Sequence, residues 1–100
     1  MKVLLCCNAG MSTSMLMKKM EDYAKANGID LEINACAFAE LKDPASEGYE
    51  CVLVGPQIAY QKDKVAKKAP GIPVDVIPMA NYGRQNCPAI FEQLNGLLGK

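Results

Sequence analysis

The chain has 100 residues, half of them hydrophobic, with 11 basic and 11 acidic side chains and a formal net charge of zero. This length suits one domain around one core, residues 1–100, and the charge balance excludes the basic footprint of a general nucleic-acid binder. No stretch approaches the ~20 apolar residues of a membrane span, and Met1-Lys2 runs straight into a short strand without a signal-peptide pattern, so a cytoplasmic location without membrane insertion is expected.

Val3–Cys7 is the first predicted element, a strand apolar on both faces as in parallel sheets. A small, hydroxyl-rich stretch, Asn8–Ser14, follows and leads into a predicted helix over 12–27. Leu16, Met20, Tyr23 and Ala24 form that helix's inward stripe. Ser12 or Thr13 is expected to cap its start and Gly28 to close it in a left-handed conformation.

Leu31–Cys36 is a second strand, with Leu31, Ile33 and Ala35 on one face. Residues 37–48 carry a weak helical pattern, interrupted at Asp43-Pro44. Cys51–Val54 is a third strand, broken at Gly55-Pro56. A lysine-rich helix over 57–69 is predicted to point Ile58, Val65, Ala66 and Ala69 inward and to end at Pro70-Gly71. Val74–Ile77 is the fourth strand, stopped by Pro78, and a loop is expected over 79–86. The last helix carries Pro88 in its first turn, where proline is tolerated, and buries Ile90, Phe91, Leu94, Leu97 and Leu98.

This alternation predicts an α/β fold: a single open four-stranded parallel sheet with helices on both faces, of the kind seen in small cysteine phosphatases and flavodoxin-like proteins. Ligands in such sheets bind beyond the carboxyl ends of the strands, near a topological switch point. Those ends are residues 7–13, 36–38, 55–57 and 78–84.

Cys7 stands at one of these ends. A loop entering a helix presents backbone N–H groups that bind phosphate, and the same positive field favours a thiolate over a thiol. Cys7 is therefore the candidate nucleophile, facing a phosphate-sized cradle built from Asn8, Ala9, Gly10, Met11, Ser12, Thr13 and Ser14. The plainer role for these hydroxyls is helix capping, and a strand-end cysteine can be simple core filling. Cys6, one step deeper and facing the other way, reads as core, and Cys36, Cys51 and Cys87 as structural, although Cys36 also ends a strand.

Five cysteines without a secretory signal argue against a disulfide framework. With no histidine and no Cys-x-x-Cys pair, neither a zinc site nor any other cofactor is expected, and the chain itself cannot hold a phosphohistidine.

Cysteine-dependent phosphatases place an arginine after such a loop, then Ser or Thr. Here that position is Thr13, followed by Ser14. Threonine cannot supply the bidentate stabilisation of a guanidinium, and no acid is placed to protonate a leaving group; Asp43-Pro44 follows the wrong strand. The pattern favours holding a phosphoryl group over hydrolysing it. Met11, Met15, Met17, Met20 and Met79 add an adaptable surface on which partner proteins are expected to dock, with Met20 equally suited to the core.

Three stretches, Cys7-Asn8-Ala9-Gly10-Met11-Ser12-Thr13-Ser14, Gly55-Pro56-Gln57-Ile58-Ala59-Tyr60 and Tyr82-Gly83, carry a family resemblance. Over nearly its whole length the chain resembles the enzyme IIB component of the phosphoenolpyruvate-dependent sugar phosphotransferase system, in the lactose/cellobiose/chitobiose group. The resemblance implies that Cys7 accepts a phosphoryl group from a phosphohistidine of enzyme IIA. Cys7 would pass it to a sugar, a β-linked disaccharide, held in the membrane component enzyme IIC. It also implies that Gln57 and Tyr82 sit at the rim of the cradle. Asn8 departs from the serine of some relatives, and Arg84–Ala89 is unlike the family pattern. Two other functions remain open on the residues: a small cysteine-dependent phosphatase, and a phosphorylatable regulatory module.

Overall fold

Val3, Leu4, Leu5, Cys6 and Cys7 are all buried, which requires cover on both sides of the strand they form. The computed structural model, which describes residues 1–7 and 10–99 and only the backbone of 10–13, shows how that cover is built. Strand β1 (Lys2–Cys7) pairs in parallel with β2 (Glu32–Ala37) on one side and β3 (Cys51–Val54) on the other, and β3 pairs with β4 (Val74–Val76). The order is β2-β1-β3-β4. Both faces carry helices: Val3, Leu5, Ile33 and Leu53 pack under α1 (Gly10–Ala26) and α4 (Cys87–Leu98), while Leu4, Cys6, Val52 and Val54 pack with Ile58, Val65 and Ala69 on the face of α2 (Lys62–Lys68). The expected open four-stranded parallel sheet is the observed one.

Helix α1 buries Leu16, Met20 and Ala24 as its periodicity predicts. It ends as expected at Gly28, whose φ is +67°. The Ile29 N–H reaches the Ala24 carbonyl at 2.8 Å and the Gly28 N–H reaches Lys25 at 3.5 Å, the paired bonds of a Schellman stop.

Four expectations change. The first helix begins at Gly10, so Ser12 and Thr13 lie within its first turn and do not cap it; a first turn has free N–H groups and tolerates hydroxyl residues that a helix interior disfavours. Residues 37–48 hold only one 3-10 turn, Phe38–Glu40, because Pro44 withdraws an N–H and restricts Asp43 while buried Leu41 pulls the chain inward. The predicted helix over 57–69 is split: Pro56–Gln61 is a 3-10 turn, and Ile58 leaves helical geometry (φ −122°, ψ 30°) to reach the core. That break resets the phase, so Val65 and Ala69 face inward and Ala66 faces solvent. The loop over 79–86 contains a short helix, α3 (Met79–Gly83), anchored by buried Tyr82. In α4, Pro88 lies in the first turn as predicted, and Asn86 caps the start through the Ala89 N–H.

Asp75 ties β4 to its surroundings. Its carboxylate accepts from the Gln93 amide and the Val76 N–H, each at 2.9 Å, and lies 3.6 Å from Lys62 Nζ. Burial alone would push this carboxyl up, but the Gln93 and Val76 hydrogen bonds and Lys62 outweigh it and hold the pKa below 3.8. The stabilisation is therefore complete above the unfolded value and is lost as pH falls through the folded one. Thermal melts across the acid range are expected to show Asp75→Asn losing stability relative to the native chain above pH ~4, with the gap closing toward acid. A gap of constant size would rule out the carboxylate's charge as its source.

Candidate functional site

In a sheet of order β2-β1-β3-β4 the chain crosses over β1 to reach β3, so the switch-point crevice lies at the carboxyl ends of β1 and β3. Cys7 occupies the end of β1, and the Gly55–Gln57 turn occupies the end of β3. Helix α1 begins at Gly10, placing its free N–H groups and the positive end of its dipole close behind Cys7 in the chain, and its first turn carries no acidic residue.

Gly55 is the hinge of this crevice. Its N–H continues the sheet ladder to the Cys6 carbonyl at 2.9 Å. A Cβ at this position would lie 3.1 Å from Gln57 Oε1, 3.7 Å from the Cys6 carbonyl oxygen and 3.8 Å from Cys7 Cβ. Gln57 and Cys7 thus both border Gly55, and the tight approach is to the Gln57 amide. Sequence reasoning treated Gly55 as a strand breaker and missed this contact; the adjacent Pro56 was the only local signal, and it speaks of a turn. The backbone here (φ −64°, ψ 145°) suits any residue, so the constraint is space. Gly55→Ala is expected to be accommodated by a shift of the Gln57 amide. Gly55→Val adds branched bulk against the end of β1 at Cys6 and Cys7 as well as against Gln57 and is expected to cost about 1–3 kcal/mol, read by thermal melts. Equal stabilities for the two variants would remove the packing argument.

Cys7 is 4% exposed, and its Sγ donates a long hydrogen bond (3.7 Å) to the Cys36 carbonyl. It is more enclosed than a nucleophile at an open lip. Asn8 and Ala9 lie outside the described residues, as do the side chains of Gly10, Met11, Ser12 and Thr13; Ser14 is exposed. Gln57 is exposed beside Cys7, whereas Tyr82, expected at the rim, is packed into the core on the α1 and α4 face and is 8% exposed. Arg84 is exposed. Among the methionines, Met20 is core and Met17 packs against it, while Met15 and Met79 are largely exposed, together with Tyr60, which the sequence marks only as part of a family stretch. Met15, Tyr60 and Met79 belong to the segments that leave the carboxyl ends of β1, β3 and β4.

The other cysteines divide into two groups. Burial raises the pKa of Cys51, to about 11, and that of Cys87, which suits inert core thiols. Cys6 and Cys36 are different. They stand opposite each other in the β1–β2 register; the interaction with Cys36, together with burial, raises Cys6, while the interaction with Cys6 lowers Cys36 against burial, which raises it. Cys36, expected to be structural, is half-buried and polarised. No cluster of three or more His, Cys, Asp or Glu among the described residues is placed to hold a metal ion.

Residues 2–93 match the family described as "PTS system, Lactose/Cellobiose specific IIB subunit". The chain is 45% identical to the PTS system galactose-specific EIIB component of Lactococcus lactis subsp. cremoris, over 96% of this chain and 94% of that one. It is also 45% identical, with the same coverage, to the cellobiose-specific EIIB component of Lactococcus lactis subsp. lactis. The solution structure of the cellobiose-specific phosphotransferase IIB component from Borrelia burgdorferi superposes with a TM-score of 0.77 at 35% identity, covering 100% of this chain and 94% of that one.

Proposed function

This chain belongs to the lactose/cellobiose-specific IIB family of the PTS system, and on that premise we propose that it is a phosphoryl carrier in sugar uptake with Cys7 as the carrying residue. The Cys7 sulfur attacks the phosphorus of a phosphohistidine on enzyme IIA. The N–P bond breaks, its electron pair stays on the imidazole, and phosphocysteine forms. A sugar hydroxyl held in membrane-bound enzyme IIC then attacks the same phosphorus, loses its proton, and releases the Cys7 thiolate.

The observation that carries this reading is the position of Cys7. It ends β1 at the β1/β3 switch point, just ahead of the free N–H groups of α1. Those donors and the helix dipole favour the charge of a phosphoryl group. The cradle is assigned to Asn8–Ser14, with Gln57 at its edge beside Cys7. Threonine at position 13, where a phosphatase has arginine, favours transfer between partners over hydrolysis. Exposed Met15, Tyr60 and Met79 offer an apolar surface around the same sheet edge for enzymes IIA and IIC in turn. Among the described residues no helix is long and apolar enough to cross a membrane; in the proposed relay the chain meets enzyme IIC from the cytoplasmic side. Equal identity to a galactose-specific and a cellobiose-specific relative supports a reading in which enzyme IIC, more than this chain, chooses the sugar.

Intact-protein mass after incubation with phosphorylated enzyme IIA tests the proposal. One added phosphoryl group, retained while free phosphate stays low and transferred when enzyme IIC and sugar are supplied, is the expected result. Rapid phosphate release that depends on Cys7 would replace the carrier with a phosphatase.

A further inference from the structure

We propose that Cys6 and Cys36 form a second thiol site, which a hydroperoxide closes into a reversible disulfide across β1 and β2, and that closure withdraws Cys7 from phosphoryl transfer. The effect on Cys7 rests on the carrier reading above; the disulfide does not.

Cys6 and Cys36 are register partners on neighbouring parallel strands, and their side chains share the face that carries Leu4, Val52 and Val54. Adjacent strands run roughly 4.7–4.9 Å apart, within the roughly 4.4–6.8 Å between Cα atoms that a disulfide spans. The two thiols are close enough to shift each other's titration, Cys6 up and Cys36 down.

Access comes from Cys36. It is half-buried and lines a cavity of about 160 Å³ with Glu40, Lys42, Glu47 and Tyr49, large enough for a peroxide. The neighbouring Cys6 and, more weakly, Lys68 favour the Cys36 thiolate, against burial and the carboxylates of Glu40 and Glu47. One member is therefore reachable and nucleophilic. The other, Cys6, is 1% exposed and positioned to resolve.

The chemistry balances with the peroxide as oxidant. The Cys36 thiolate attacks the terminal peroxide oxygen and the O–O bond breaks. The departing oxygen takes a proton, and Cys36 becomes a sulfenic acid. Cys6 gives up its proton and attacks the Cys36 sulfur, the S–O bond breaks, and hydroxide leaves as water. Two thiols are oxidised, and one peroxide is reduced to an alcohol (or water) and a further water.

Closure reaches Cys7 through two links. Cys7 follows Cys6 in the chain, and its Sγ is bonded to the Cys36 carbonyl at 3.7 Å. A disulfide needs Cβ atoms about 3.8 Å apart, closer than the strand spacing, so the bond draws the strand ends together where Cys7 sits. The same strain keeps it easily reduced.

The test treats the full chain with hydrogen peroxide, alkylates remaining thiols after denaturation, and maps tryptic peptides. Cleavage after Lys2, Lys18, Lys25 and Lys42 separates residues 3–18, which hold Cys6 and Cys7, from residues 26–42, which hold Cys36. A cross-link between these peptides is expected in the native chain and in Cys7→Ser, and its loss is expected in dithiothreitol. Full alkylation of Cys36 after peroxide, or absence of the link from Cys7→Ser, would overturn the site. In the second arm, peroxide is expected to abolish phosphoryl acceptance by the native chain, reversibly, and to spare Cys36→Ser. Equal loss in Cys36→Ser would overturn the gating, since Cys7 itself would then be the oxidised group. A reduced chain that forms the cross-link on oxidation but accepts no phosphoryl group would defeat the carrier reading and leave the thiol site standing.

Discussion

Cys7→Ser is expected to accept no phosphoryl group from phosphorylated enzyme IIA, with its melting temperature close to that of the native chain. The two halves of this expectation have separate causes. A serine hydroxyl is a poor nucleophile unless a base removes its proton, and the chain has no histidine to do so. A cysteine needs no such partner, because sulfur is intrinsically the stronger nucleophile. The fold loses little, because among the described residues the Cys7 Sγ makes only a long hydrogen bond to the Cys36 carbonyl, and a hydroxyl can donate to the same oxygen. Intact mass gives the first readout and thermal unfolding the second. A phosphoryl group still added to Cys7→Ser would move the carrying residue elsewhere in the chain.

Leu53→Ala is expected to be the most damaging of these substitutions to stability. Leu53 is 0% exposed in β3, an interior strand, and packs in the core between the sheet and helices α1 and α4. Removing a buried leucine side chain to alanine costs about 2–5 kcal/mol, through lost burial and the cavity left behind. Against a total of roughly 5–15 kcal/mol for a domain, that is a large fraction. With about 4–8 °C per kcal/mol for a domain near this size, the melting temperature is expected to fall by roughly 8–40 °C. Denaturant melts should show a lower midpoint with an unchanged slope. A loss under ~1 kcal/mol would mean the neighbouring side chains close the space.

The sequence by itself determined the strands, their order in the chain, the parallel α/β class and the placement of Cys7. Four apolar runs separated by helical patterns leave few alternatives, because crossover connections are right-handed and parallel strands require cover on both faces. The stripe of Leu16, Met20 and Ala24 and the stop at Gly28 follow from local periodicity and a local backbone preference, which is why both are observed as expected. The family resemblance was legible too, since it rests on short contiguous stretches that follow three of the strands.

Tertiary packing decided the rest. Ile58 abandons helical geometry because burying its side chain outweighs one turn's hydrogen bonding, and the phase of everything after it moves, Ala66 included. Tyr82 turns into the core on a short helix that residues 79–86 alone do not specify. Register decided the chemistry around Cys7. Nothing local to Cys6 or Cys36 says that they face each other, and nothing in Gly55-Pro56 says that Gln57 and Cys7 converge there. Hydrophobic periodicity specifies which face of a strand is buried. Which residue stands opposite which is set by the pairing of segments distant in the chain, and that pairing exists only once the sheet has formed.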